Sequence, residues 1–325
     1  MNLSIQNYLF LSHCLPLPLS VLKIIEGNLS HPFHEIKELK FQEIKDELVH
    51  LNKQKNVQIR EIPKRAEHAY DLINDNIFEK ISNKLNEWGK IGIIILPYFD
   101  NNFPLRLKNI KNPPKLIYLR GNPDIDYKKS ISIIGTRNPT EYGKDMAFKI
   151  GYRFAKKGFV IVNGFAKGID IESIKGGLKA GGKVIGVLGS GILKPYPKEN
   201  SDTFNKILKN NEGFFISEQL PNKNVVKSSL ATRNRISSAL SLGNIFIEGS
   251  IKSGTKWQLK FGKEQKKPII VLKPKEISKE TELPREIIKS EKDVFVIEKI
   301  DDVDHIAKSL IKSKKNKTTS INDFI

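Results

Sequence analysis

Four short clusters of small and basic residues carry side chains able to do chemistry, and the chemistry they suit is anion recognition. Gly135-Thr136-Arg137-Asn138-Pro139 offers a hydroxyl and a guanidinium, and an arginine fork matches the geometry of a phosphate. Asn163-Gly164-Phe165-Ala166-Lys167-Gly168-Ile169-Asp170 brackets Lys167 between glycines and sets Asp170 where it can cap the next helix. Thr232-Arg233-Asn234-Arg235-Ile236 flanks an asparagine with two arginines at the start of a helix. Residues i and i+2 do not share a helix face, but at an N-terminus both can reach the same rim. The fourth cluster runs from Glu248-Gly249-Ser250 to Ser253-Gly254-Thr255. The candidate binding residues are therefore Gly135, Thr136, Arg137, Lys167, Gly168, Arg233, Asn234, Arg235, Ser253, Gly254 and Thr255.

Other chemistry finds no support in the same residues. The bend at Gly135 is not the G-x-G-x-x-G dinucleotide fingerprint, and no G-x-x-x-x-G-K-S/T phosphate loop occurs. The single cysteine is Cys14, and the one histidine after His68 is His305, so a nucleophile at these bends lacks a histidine base. No carboxylate cluster suggests a two-metal nuclease. His13, His31, His34, His50 and His68 have no acid or cysteine at ligand spacing. No metal and no cofactor is expected.

The elements that must position these clusters form a repeating pattern. Apolar strand-sized runs occur at Ile91–Leu96, Leu116–Leu119, Ile131–Ile134, Phe159–Val162, Val184–Leu188, Phe214–Ile216, Ile245–Ile247, Ile269–Leu272 and Val294–Val296. Several are apolar throughout, as a parallel sheet covered on both faces requires. Between them lie helix-sized runs at Tyr142–Lys157, Ile171–Ala180, Ser201–Asn210, Arg233–Leu242 and Thr255–Glu264. This alternation predicts a doubly wound α/β sheet. The glycines follow the strands, at the carboxyl ends where open sheets of this kind bind ligands. Phe165 and Tyr196 are candidates to stack on bases there or to fill the core.

Residues 1–85 read as a small N-terminal helical region, with Leu39, Ile44, Leu48 and Leu51 near helical spacing and Pro32 and Pro63 as breaks. The α/β part extends over 86–312, and the Lys-rich stretch 313–325 reads as a basic flexible tail. The 325 residues carry 55 Lys plus Arg against 36 Asp plus Glu, a net charge of +19. Within 120–272 the count is 27 basic against 12 acidic, a balance of +15 in under half the chain. A basic rim above a sheet attracts a polyanion, and nucleic acid is the first candidate. One cysteine rules out a disulfide framework and fits a reducing cytoplasm. No apolar run reaches membrane-span length.

Several motifs in order resemble the DprA/Smf family of bacterial DNA-processing proteins. They are Ile133-Ile134-Gly135-Thr136-Arg137-Asn138-Pro139-Thr140, then Asn163-Gly164-x-Ala166-Lys167-Gly168-Ile169-Asp170, Val187-Leu188-Gly189-x-Gly191, Tyr196-Pro197-x-x-Asn200, Arg233-Asn234-Arg235-Ile236 and Ser253-Gly254-Thr255. The lead-in Asp100-x-x-Phe103-Pro104 and Pro113-Pro114-x-Leu116-x-Tyr118 fits as well. The resemblance implies an extended Rossmann-like, mostly parallel sheet that binds single-stranded DNA without base specificity. It also implies a homodimer that protects incoming DNA and helps load RecA recombinase during natural transformation, with no catalytic turnover. Arg137 and Lys167 would line the DNA pocket, and Arg233 to Arg235 would contact or shape it. Departures include Lys167 where arginine is usual, and Lys256-Trp257-Gln258 after the Ser-Gly-Thr turn. The alternatives are a nucleotide phosphoribohydrolase-like enzyme or a nucleotide-sensing domain of the same superfamily. The hydrolase needs a glutamate at the position of Gln258, and an amide cannot act as a carboxylate base.

Overall fold

The computed structural model describes residues 3–54 and 57–319, with side chains described as far as residue 312. The chain forms two compact units, Met1–Pro97 and Tyr98–Ile325, so the division falls after the first predicted strand rather than at 85.

The first unit holds α1 (Ile5–Leu9), a π-helical turn (Phe10–Cys14), α2 (Leu19–Gly27), a 3-10 segment (Pro32–Glu38), α3 (Phe41–Asn52), α4 (Ile62–Asn74), α5 (Ile77–Lys90) and strand β1 (Ile93–Pro97). Ile44, Leu48 and Leu51 form the buried stripe of α3, as their spacing predicts. Pro63 does not break a helix. It sits in the first turn of α4, where a missing N–H costs nothing. His31 is buried, with Nε2 3.1 Å from Glu47 Oε1.

The second unit is built around eight strands: β2 (Leu116–Gly121), β3 (Ser130–Ile134), β4 (Val160–Asn163), β5 (Val184–Val187), β6 (Gly213–Ser217), β7 (Asn244–Phe246), β8 (Ile269–Leu272) and β9 (Val294–Ile297). Their spatial order is β2-β6-β5-β4-β3-β7-β8-β9. Only the β2–β6 pair is antiparallel; the other neighbours run parallel. β3 to β6 are wholly buried, which explains why their sequences lack alternation.

The helices of this unit are α6 (Leu105–Lys108), α7 (Glu141–Lys156), α8 (Ile169–Lys179), α9 (Ser201–Lys209), α10 (Lys227–Thr232), α11 (Asn234–Leu240), α12 (Thr255–Glu264), α13 (Glu282–Ser290) and α14 (Asp302–Thr319). Leu283 and Ile287 of α13 pack on Ile134, Phe246, Ile269 and Val271 to cover one face of β3, β7 and β8. Phe165, Phe204 and Phe215 form an edge-packed cluster on the other side of the switch, with centroids 4.0–6.3 Å apart. Phe165 has no exposed surface, so of the two roles open to it the structure assigns the core.

Two expectations need amendment. The run expected as a helix over Arg233–Leu242 is the shorter α11, and it is preceded by a further short helix, α10, with Arg233 at the junction of the two. The stretch read as a tail is helical as far as Thr319, as the end of α14, while residues 320–325 lie outside the described residues. Asp304 of α14 receives Arg153 Nε at 2.8 Å and Arg153 Nη2 at 3.0 Å, and lies 3.1 Å from Lys157 Nζ, which ties α14 to α7. Among the described residues, no helix is long and apolar enough to cross a membrane.

Candidate nucleic-acid interface

The chain winds from β3 through β4 and β5 to β6 on one side, and from β7 through β8 to β9 on the other. The direction reverses between β3 and β7, and the crevice outside the carboxyl ends of two such strands is where open α/β sheets take ligands. The bend after β3 begins at Gly135, and the loop after β7 runs through Glu248 to Thr255. The two are stitched together: Thr136 N–H donates to Glu248 O at 2.7 Å, and Thr255 Oγ1 donates to Gly135 O at 3.2 Å.

A cleft of about 570 Å³ opens at this point, within the size range of small-ligand sites. Eight of the eleven predicted residues line it: Gly135, Thr136, Arg137, Arg233, Asn234, Ser253, Gly254 and Thr255. Lys167, Gly168 and Arg235 do not. Four cations at the cleft, Arg137, Lys227, Lys252 and Lys256, are exposed, and among the described residues none forms an ion pair. Lys227, Lys252, Lys256 and Trp257 escaped the sequence reading. Lys227 comes from α10, which has no glycine to mark it; Lys252 lies between the two halves of the fourth cluster, and Lys256 and Trp257 follow it.

The predicted arginines divide sharply by environment. Arg137 is exposed at the mouth. Arg233 is 6% exposed and forms the floor, where its Nη1 donates to Val187 O at 2.8 Å. Gly164 makes room for it, since a Cβ there would lie 1.6 Å from the guanidinium. Burial lowers Arg233 to about 10, Asp170 opposes that, and the group remains a cation at neutral pH. Asp170 is buried too. Burial raises its carboxyl, while Arg233, the N–H groups of Ala166 and Gly164, and Arg137 pull it down. Asp170 Oδ2 accepts from Gly164 N at 3.0 Å and Ala166 N at 3.3 Å. It thus holds the bend after β4 together, beyond the capping role read from its place.

Arg235 points elsewhere. Its Nη1 donates to Glu218 Oε1 at 2.7 Å, and its Nε donates to Asn112 O at 2.7 Å, beside a separate cleft of about 230 Å³. Lys167 is half exposed and paired with Glu199, whose carboxyl it lowers. Gly168 is a packing residue here. Its φ is +75°, and a Cβ would lie 2.4 Å from Thr136 O, so only glycine lets α8 approach the bend after β3. Glu248 is buried and accepts from Thr140 N at 2.9 Å at the start of α7. Gln258, at the position of a hydrolase glutamate, is fully buried, with its amide 3.0 Å from Ser132 Oγ and 2.7 Å from Asn244 Oδ1.

The family model for DNA recombination-mediator protein A matches residues 94–307. The DNA processing protein DprA of Bacillus subtilis is 35% identical over 182 residues, covering 56% of this chain and 61% of that protein. Protein Smf of a Synechocystis strain is 32% identical over 179 residues, 53% of this chain and 44% of that one. The chain thus spans about half to three-fifths of the length of these relatives. Among solved structures, DNA processing protein A of Streptococcus pneumoniae superposes with a TM-score of 0.73 at 24% identity, over 93% of this chain and 98% of that one. The Helicobacter pylori protein, solved to explain its single-stranded DNA binding mode, gives 0.60 at 27% identity, over 68% and 96%. With the motifs in order, a doubly wound sheet as expected and a family model spanning most of the α/β unit, the chain belongs to the DNA recombination-mediator protein A family, the DprA/Smf proteins.

Proposed function

We propose that the chain binds single-stranded DNA without base selection in the cleft between β3 and β7, and acts as a recombination mediator. One observation carries the reading: four exposed cations, none of them in an ion pair among the described residues, border a cleft at the sheet's switch point, with a cationic floor beneath them. Phosphates suit this arrangement because each contact releases a counterion from the strand. No base-selective hydrogen-bonding array is assigned, so affinity follows charge and stacking. The wider role, also proposed, is protection of incoming DNA and delivery of RecA recombinase onto it by a cytoplasmic homodimer during natural transformation. No catalytic step is assigned, because Gln258 is buried in an amide and hydroxyl network and Glu248 is engaged by Thr140.

The test is a salt titration of binding to an oligodeoxynucleotide by fluorescence polarisation. Each phosphate contact on a single strand contributes about −0.7 to the slope of log K against log salt, so four cations give a slope of about −3. Arg137→Ala should reduce the slope by about 0.7 with the melting temperature unchanged. A salt-independent affinity, or an unchanged slope in that variant, would refute the assigned site.

A further inference from the structure

Phe165 was one of two aromatic side chains placed by sequence near the rim, and it is core; the other, Tyr196, is 39% exposed but does not line the cleft. Trp257 does, as the sole aromatic residue lining it among the described residues. It sits in the first turn of α12, directly after the Ser253-Gly254-Thr255 turn, and is half-buried. Phe261, one turn further along α12, braces it, with ring centroids 6.4 Å apart and planes 29° apart. Lys256 Nζ and Lys260 Nζ lie 5.9 Å and 5.4 Å from the indole centroid. Two cations so placed are drawn to the electron-rich face of the ring, and Lys256 also lines the cleft.

We propose that Trp257 is the base-stacking wall of this cleft: one nucleobase of a bound strand lies against the indole while Arg137, Lys227, Lys252 and Lys256 hold the adjoining phosphates. The proposal rests on the single-stranded DNA reading above and adds to it the aromatic residue and its partner, a base rather than the backbone. Every base has a π-face, so such a wall accepts any sequence, with a preference for the larger purine surface. An indole braced by its neighbour also loses little freedom on stacking, which favours binding.

The experiment compares a short oligodeoxyadenylate with an abasic deoxyribose-phosphate chain of equal length, on the full-length protein at low salt. The readouts are tryptophan emission and polarisation affinity for wild type, Trp257→Ala, Trp257→Phe and Arg137→Ala. The oligodeoxyadenylate should quench emission in wild type and not in Trp257→Phe, which leaves Trp88 as the remaining indole. The abasic chain should bind more weakly and without quenching. Trp257→Ala should weaken the oligodeoxyadenylate by roughly tenfold and leave the abasic chain unchanged, Trp257→Phe should recover most of the loss, and Arg137→Ala should weaken both chains alike. Equal weakening of both chains by Trp257→Ala, or binding of the base-bearing chain with neither quenching nor any effect of Trp257→Ala, would overturn the stacking wall and leave the DNA reading standing. Failure of both chains to bind wild type would overturn both.

Discussion

Arg233 and Arg137 look equivalent in the sequence, and the structure predicts opposite consequences for their loss. Arg233→Ala removes a hydrogen bond from a charged donor to Val187 O, worth about 1.5–3 kcal/mol. It also leaves buried Asp170 without the strongest of the charges that pull its carboxyl down against burial; deleting one member of a buried charge pair costs about 3–5 kcal/mol. The two effects overlap, so about 3–5 kcal/mol is the expected total. For a unit of this size each kcal/mol moves the melting temperature by about 2–4 °C, which gives a fall of about 6–20 °C by calorimetry. Arg137→Ala, at an exposed position, should move it by less than about 2 °C while weakening DNA binding. A double change, Arg233→Met with Asp170→Asn, removes both charges and fills the space, so it should recover at least half of the lost stability. If Arg233→Ala melts within 2 °C of wild type, or the double change is worse than the single one, the structural role assigned to Arg233 is wrong.

Three further outcomes follow from other contacts. Glu199→Gln frees Lys167 and removes a negative charge near the bend after β4, so affinity for single-stranded DNA should rise about two- to fivefold at low salt; unchanged affinity would place Lys167 away from the strand. His31 is held at about 4 by burial, with His34 and His50 adding to the effect, against an ordinary value of 6.5. The unfolded chain therefore takes up a proton between these values that the folded chain refuses. Stability should be full above 6.5 and fall as the pH drops toward 4, by about 2 kcal/mol at pH 5; His31→Gln should flatten that dependence in thermal melts. Asp304→Asn breaks the tie between α14 and α7, and hydrogen exchange should speed up at the amides of α14 with DNA affinity unaltered.

Much of this architecture is legible in the sequence because the sheet is parallel and covered. Apolar runs such as Ile131–Ile134 and Ile269–Leu272 have no polar alternation to confuse them, and the glycines after them mark the ligand edge. The short α10 and the proline-containing α13 are not legible in the same way. Ser229 caps within α10 and Pro284 falls in the first turn of α13, so both segments read as loop. The site residues divide for a different reason. Arg233 and Arg235 have the same type and nearly the same position, but a helix start turns one inward under Gly164 and the other outward to Glu218. Only the third dimension separates the guanidinium that floors the cleft from the one tied to Glu218. The cations Lys227, Lys252 and Lys256 are equally invisible among 55 basic residues until the loops around them are placed.

The carboxylates of Asp170 and Glu248 sit where many nucleotide-binding sheets seat a diphosphate. The amides of the bend after β4 close on the first, and the amide of Thr140 at the head of α7 closes on the second. A free dinucleotide arriving at this edge would find these main-chain donors already taken by side chains of the protein itself. A polymer meets no such competition, because it can spread its hold over many outlying side chains. Avidity along a strand, growing with each added residue of its length, is the form of recognition this edge permits.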